Sequence, residues 1–475
     1  MEGLVESTLS LSEIQSLLSE GSLTLEQLVQ QYLDRIESSS ELNIYVEVFK
    51  SEALDRAKEL DKAVTEEDYT PGKLHGAVIS IKDVLCYRGH EVTAGSKILE
   101  GFKSQFTGTA IQRMLDEGAI IIGRTNCDEF AMGSTNEHSV YGATSNGLDN
   151  KRVPGGSSGA AAVSVEQGTC LIGIGSDTGG SVRQPAAFCG VYGMKPTYGR
   201  ISRYGLIAYG SSFDQIGVVA QHVSDCAIAI HVMSGHDPMD ATSASIQPPK
   251  AGPFQDQKQY RIAYIPEVLE HESLNEVIRE DCQQLIGDLR CKGHECEPIT
   301  FDLLPYLVPT YYVLTTAEAS SNLSRYDGIK YGYSAIEVQD IEELYTKTRS
   351  EGFGMEVKRR IMMGTFVLSV GYFDAYFTKA QQVRTLIIQR LEEIFASYDF
   401  ILLPTTTDIA WEKGQIVNDP LAMYLSDIYT VLANLGGYPA ISIPRHSDRL
   451  SMPFGLQFMG KRYQEEALFT LCQSL

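Results

Sequence analysis

The sequence predicts an α/β protein with a central mixed or mostly parallel β-sheet covered on both faces by helices. Three observations predict it. Short apolar runs of strand length recur from about residue 75 towards the end of the chain. Stretches with helical spacing separate them. The 475 residues are 43% hydrophobic and 21% charged, the composition of a folded globular chain rather than a disordered one. No run approaches the roughly 18 apolar residues that cross a bilayer, so nothing marks a membrane protein.

The first 70 residues read as a helical segment. Met1 to Glu6 is acidic and lacks the basic and apolar regions of a secretory leader, so secretion is not expected. Ser12-Glu13-Ile14-Gln15 and Thr24-Leu25-Glu26-Gln27 both have capping-box form. After the second box, Leu25, Leu28, Val29, Tyr32 and Ile36 make one apolar stripe, expected to pack on the main body.

Strands begin with Ala77-Val78-Ile79-Ser80-Ile81 and continue with Ala119-Ile120-Ile121-Ile122. Between them Ile111, Met114 and Leu115 suit a helix ending at Gly118, which makes a βαβ unit with parallel strands. Cys170 to Ile174 is a further buried strand, and Arg261–Ile265, Phe400–Leu403, Ala440–Ile443 and Gly455–Met459 are later ones. Asp237 to Lys258 is rich in proline and polar residues. Because strands of similar character resume after it, residues 237–258 read as a surface excursion within a single domain spanning 1–475. No internal repeat or low-complexity tail is present.

Charge limits the partners. With Lys+Arg 39 against Asp+Glu 61 the net charge is −22, poorly suited to gripping nucleic acid unaided. Nine cysteines without a Cys-x-x-Cys fit a reduced, cytoplasmic setting. Cys291, His294 and Cys296 lie close together but lack a second ligand pair, so they read as a surface turn and no metal is expected.

The chemistry concentrates in 151–210. Pro154-Gly155-Gly156-Ser157-Ser158-Gly159 precedes a small-residue helix from Ala160 to Glu166. A strand follows, then Gly175-Ser176-Asp177-Thr178-Gly179-Gly180-Ser181-Val182-Arg183-Gln184-Pro185. Glycines this dense free backbone N–H groups to face a ligand oxygen at a strand's carboxyl end. Three readings compete. A nucleotide site fits poorly, since the third glycine is one place late and no G-x-x-x-x-G-K-[ST] exists. A Ser-His-Asp hydrolase could use Gly155-Gly156-Ser157-Ser158-Gly159, but a polar segment ending in Pro154 stands where a nucleophile elbow needs a strand. Its histidine would be His446, set among polar residues. The third reading joins Ser157, Ser181 and Lys82, a lysine closing an apolar strand where burial favours its neutral form.

The segment Gly155 to Pro185 resembles the signature of the amidase-signature hydrolases, which use a Ser–cis-Ser–Lys triad. The spacing from Ser157 to Ser181 (181 − 157 = 24) and the lysine of Ser80-Ile81-Lys82-Asp83 agree with that pattern. Ala160 departs from it, where many members carry glycine. Asn126 to Gly133, Lys195 to Gly205, Glu318 to Gly328, Val357 to Ile361 and Pro453 to Gln457 are similar to the A-subunit branch of that family, from glutamyl-tRNA(Gln) amidotransferases.

The resemblance implies the amidase-signature fold and a catalytic scheme. Neutral Lys82 takes the proton of Ser157, which sits after a cis peptide and takes that of Ser181. Ser181 attacks the side-chain amide of glutamine, and the N–H groups of Thr178, Gly179 and Gly180 form the oxyanion hole. Arg360 binds the substrate α-carboxylate, Asp427 its α-ammonium, and Tyr311, or its neighbour Tyr312, lines the pocket. It also implies a heterotrimer with the amidotransferase B and C subunits. ATP and Mg are used by the B subunit, which also makes the main contact with tRNA, and the chain itself needs no cofactor. The alternative is a stand-alone amidase acting on another small amide.

Overall fold

The computed structural model describes residues 8–254, 258–416, 423–424 and 426–475. The acidic start, Met1 to Glu6, and part of the proline-rich excursion lie outside the described residues. Among the described residues eleven strands form one sheet: β1 (Tyr45–Val48), β2 (Val78–Lys82), β3 (Ile120–Thr125), β4 (Ile172–Asp177), β5 (Tyr192–Lys195), β6 (Gln215–Ala220), β7 (Arg261–Tyr264), β8 (Glu295–Pro298), β9 (Phe400–Pro404), β10 (Ala440–Arg445) and β11 (Phe454–Gly460). Their order is β1-β3-β2-β4-β6-β5-β10-β11-β9-β7-β8. Strands before and after the excursion at 237–258 share this sheet.

Helices up to the excursion are α1 (Leu11–Ser19), α2 (Leu25–Ser38), α3 (Lys50–Ala63), α4 (Thr109–Asp116), α5 (Gly159–Glu166), α6 (Arg183–Cys189) and α7 (Val223–Met233). Beyond it come α8 (Pro266–Leu269), α9 (Glu276–Cys291), α10 (Leu307–Asn322), α11 (Ile341–Gly352), α12 (Met355–Val367), α13 (Lys379–Ser397), α14 (Val431–Gly436) and α15 (Glu465–Gln473).

The expected βαβ unit is present as β2–α4–β3, with β2 and β3 parallel. Every strand read from the sequence forms within a few residues of its expected place. The sheet is mixed, but antiparallel pairs outnumber parallel ones, so the "mostly parallel" form of the expectation is corrected. Parallel pairing is confined to β3-β2-β4 and to β8-β7-β9. Strand direction is set by how β5, β6, β10 and β11 return across the sheet, which a run of apolar residues does not encode.

Local chemistry explains the helix starts. Thr24 and Gln27 form the capping box expected for α2, and Leu25, Leu28, Val29 and Tyr32 are buried. The box of α1 uses Ser10 with Glu13, not Ser12 with Gln15. The Ser10 hydroxyl accepts the Glu13 N–H while the Glu13 carboxylate accepts the Ser10 N–H, so an acidic side chain also faces the positive helix end. All three parallel strands at β3-β2-β4 are fully buried, and their carboxyl ends share one edge of the sheet. That edge positions the site.

Candidate active site

Lys82 is the last residue of β2 and is completely buried. Its Nζ lies 2.7 Å from Ser157 Oγ, 2.9 Å from Ser158 Oγ and 3.0 Å from Ser176 Oγ. Burial lowers its pKa to about 8 against the pull of nearby Asp128, Asp177 and Asp214. The Ser158 hydroxyl donates to the Ser176 carbonyl at 3.0 Å, so its oxygen can only accept from Lys82. The Ser157 proton has no such outlet, and the lone pair of a neutral Lys82 can take it.

Ser157 begins the turn into α5, and the Gly156–Ser157 peptide is cis, as the resemblance implied. Glycine is required before it, because a Cβ at Gly156 would lie 2.1 Å from Asp128 Oδ2. The Gly156 N–H donates to Gln184 Oε1 at 2.8 Å, tying this turn to α6.

Ser181 sits on the loop from β4 to α6, and its carbonyl accepts the Ser158 N–H at 3.0 Å. It is 9% exposed, against 0% for Lys82 and Ser157, so of the three it is the one that solvent reaches. Among the described residues its Oγ makes no hydrogen bond, and the Ser157–Ser181 link of the relay is not closed. Such links commonly tighten only when substrate is bound.

The loop offers its N–H groups unevenly. Among the described residues those of Thr178, Gly179 and Ser181 make no backbone hydrogen bond, whereas Gly180 donates to Asp177 Oδ1 at 2.9 Å. The expectation for Gly180 is therefore corrected: its φ of 135° turns the N–H back onto the carboxylate, and the open donors are its neighbours. Burial would raise Asp177, but the Arg183 guanidinium at 3.0 Å outweighs it and holds the carboxyl at about 2. Arg183 also donates to Thr430 O, Gln457 Oε1 and Asn434 Oδ1, so this ion pair is the frame of the loop.

Of the expected substrate residues Tyr311 reaches this loop, and Asp427 and Arg360 meet its neighbour Tyr312. Tyr311 presses its hydroxyl on Gly179, where a Cβ would lie 2.4 Å away. Asp427 accepts from Tyr312 at 2.8 Å and from Ser134 at 3.3 Å, and burial raises it to about 6. Thr430 donates to the Gly179 and Asp427 carbonyls, binding the two segments. Arg360 is buried, with side-chain exposure of 3% against 37% for Arg359, so the two are not one surface patch. It donates to Glu356 Oε1 and the Tyr209 hydroxyl, both at 2.8 Å, inside a cage of Tyr209, Tyr312 and Tyr424 rings. The tyrosines at 311–312 thus have different partners, Tyr311 beside Gly179 and Tyr312 between Asp427 and Arg360.

Sequence reading missed Ser158 and Ser176 as lysine acceptors, although both stand in the glycine-rich motifs. It also missed Glu356 and the tyrosine cage, which come from separate elements and carry no joint signal. His446 is exposed, away from the buried Ser157.

The amidase family matches residues 27–469. The A subunit of glutamyl-tRNA(Gln) amidotransferase from Koribacter versatilis (strain Ellin345) is 45% identical over 463 residues, covering 96% of each chain. Its counterpart from Chlorobium limicola is 44% identical over 470 residues, covering 98% of each. The crystal structure of the corresponding A subunit from Thermotoga maritima is similar at a TM-score of 0.80 and 36% identity, covering 100% of this chain and 95% of that one.

Proposed function

The chain belongs to the amidase family, and from that premise we infer that it is the glutamine-hydrolysing subunit of a tRNA-dependent amidotransferase. It supplies ammonia for converting Glu-tRNA(Gln) to Gln-tRNA(Gln). The observation that carries the chemistry is the buried Lys82 Nζ at 2.7 Å from Ser157 Oγ, one hydroxyl short of the accessible Ser181.

In the proposed reaction, neutral Lys82 takes the proton of Ser157 as Ser157 takes that of Ser181. Ser181 Oγ bonds to the side-chain amide carbon of glutamine. The negative oxygen faces the N–H groups of Thr178 and Gly179, aligned before the reaction begins. The C–N bond breaks as the proton returns through Ser157 to the nitrogen, releasing ammonia and leaving a γ-glutamyl ester on Ser181. Water, giving its proton back along the same path, frees glutamate and restores the three side chains. Arg360 receives the substrate α-carboxylate, and Asp427, ionised at neutral pH, receives its ammonium. Tyr311 closes the wall beside Gly179.

The B and C subunits of the amidotransferase are the proposed partners. The chemistry of ATP and Mg²⁺ and the main tRNA contact belong to the B subunit, while the complex as a whole is cytoplasmic. No described helix of this chain is long and apolar enough to cross a membrane.

Replacing Ser181 by alanine in the assembled complex is expected to lower glutamine hydrolysis by at least about 10³-fold. Amidation driven by added ammonium chloride should persist, which shows that the complex still assembles. Retained hydrolysis would overturn the assignment. Activity of the chain alone on simple amides, unchanged by the B and C subunits, would favour a stand-alone amidase instead.

A further inference from the structure

Glu129 has no part in the scheme above, yet it is 5% exposed and its carboxylate faces the beginning of α12. Its two oxygens accept the Gly354 N–H at 3.0 and 2.9 Å, and one also accepts the Ser96 hydroxyl. Gly354 is the N-cap residue of α12 and offers no side chain to cap it. A carboxylate is the group that a positive helix terminus favours there. The approach is close: a Cβ on Gly354 would lie 2.3 Å from Glu129 Oε2.

The chain around Glu129 is bent to make this contact. Phe130 and Ala131 hold φ of 50° and 59°, which non-glycine residues seldom adopt. The Phe130 ring packs 5.8 Å from that of Phe353, next to Gly354 in sequence. Two consecutive residues thus grip two consecutive residues at the start of α12. Asp128, one place earlier, accepts the N–H groups of Asn136 and His138 and abuts Gly156. The Asp128-Glu129 pair therefore touches the turn of Ser157 on one side and the helix of Glu356 and Arg360 on the other.

We propose that Glu129 is a positioning residue that anchors the start of α12 and so holds the Arg360 guanidinium where the α-carboxylate of glutamine binds. The proposal rests on the role given to Arg360 above. It separates the action of Glu129 from the acyl-transfer step, because the triad stands on β2, the 157 turn and the 181 loop. Loss of the anchor should weaken binding of glutamine and leave its chemistry nearly intact.

The test is steady-state hydrolysis by the assembled complex of glutamine and of 4-aminobutanamide, the same amide without the α-carboxylate. Glu129→Ala is expected to raise KM for glutamine about tenfold, with kcat changed by less than about threefold. Its kcat/KM for 4-aminobutanamide should equal that of the unmodified complex. In an Arg360→Lys background the same change should add less than about twofold, because the two residues act through one contact. Glu129→Gln, which keeps an acceptor for Gly354, should restore part of the affinity. If Glu129→Ala does not assemble, Ser96→Ala is expected to give the same pattern at smaller size. Equal losses on both substrates, a fall confined to kcat, or additivity with Arg360→Lys would each overturn the proposal. An unmodified complex that does not hydrolyse glutamine would instead strike the proposed function, and this inference with it.

Discussion

Lys82 combines three serine acceptors with complete burial, and these act in opposite directions. Hydroxyl oxygens favour the ammonium, while burial favours the amine and wins, leaving the group at about 8 rather than 10.5. Because the folded pKa lies below the unfolded one, this lysine opposes folding, fully below about pH 8 and not at all above about 10.5. At neutral pH that opposition is about 3 kcal/mol. In return, about a tenth of the amine is unprotonated at pH 7, far more than at the ordinary lysine value of 10.5. The kcat/KM for glutamine should rise about tenfold per pH unit towards a plateau above a limb near pH 8, measurable by initial rates at sub-saturating glutamine. Lys82→Arg should abolish hydrolysis at every pH tested, since a guanidinium does not deprotonate in this range. An unchanged profile would remove Lys82 from the role of base.

The loop from β4 to α6 is held from outside, which is why its glycines cannot be exchanged. Tyr311 occupies the space beside Gly179, and Thr430 that beside Gly180. Gly179→Ala should lower kcat about 10²-fold by displacing an oxyanion donor, and should lower the denaturation midpoint as well, because its methyl overlaps the buried Tyr311 ring. The Asp177–Arg183 pair is a different case, because both side chains are fully buried and Arg183 serves three further acceptors. Arg183→Met would strand a carboxylate in the interior. It should destabilise the fold by about 3–5 kcal/mol, read as a lowered denaturation midpoint. That this loop turns N–H groups towards a ligand oxygen was legible in its dense glycines, while an oxyanion hole at 178–180 was what the family resemblance implied. That Gly180 spends its N–H on Asp177 was not legible, because its φ is decided by Thr430 and Asn434 from the far end of the chain.

At the scale of the molecule, one mixed sheet brings the carboxyl ends of β2 and β4 to a common edge, where Lys82 ends β2 and Ser181 stands on the loop after β4. The net charge of −22 spreads over a surface that repels phosphate. The isolated chain should therefore show no sub-micromolar binding of tRNA at physiological salt by fluorescence anisotropy, while the proposed complex with the B and C subunits should bind it. The sequence by itself determined the α/β class, the strands of the core and the first helices, because each is written in neighbouring residues, whereas the Lys82, Ser157 and Ser181 set was the expectation of a family resemblance. Periodicity, capping pairs and a serine set among glycines are short-range signals, legible without knowing what packs on them. Only the tertiary structure decided strand direction, the orientation of the Gly180 N–H and the cage about Arg360. The cage depends on Tyr209, α10, α12 and Tyr424 meeting in space, the Gly180 N–H on Thr430 and Asn434, and strand direction on how the chain returns across the sheet, all of them contacts between residues far apart in sequence.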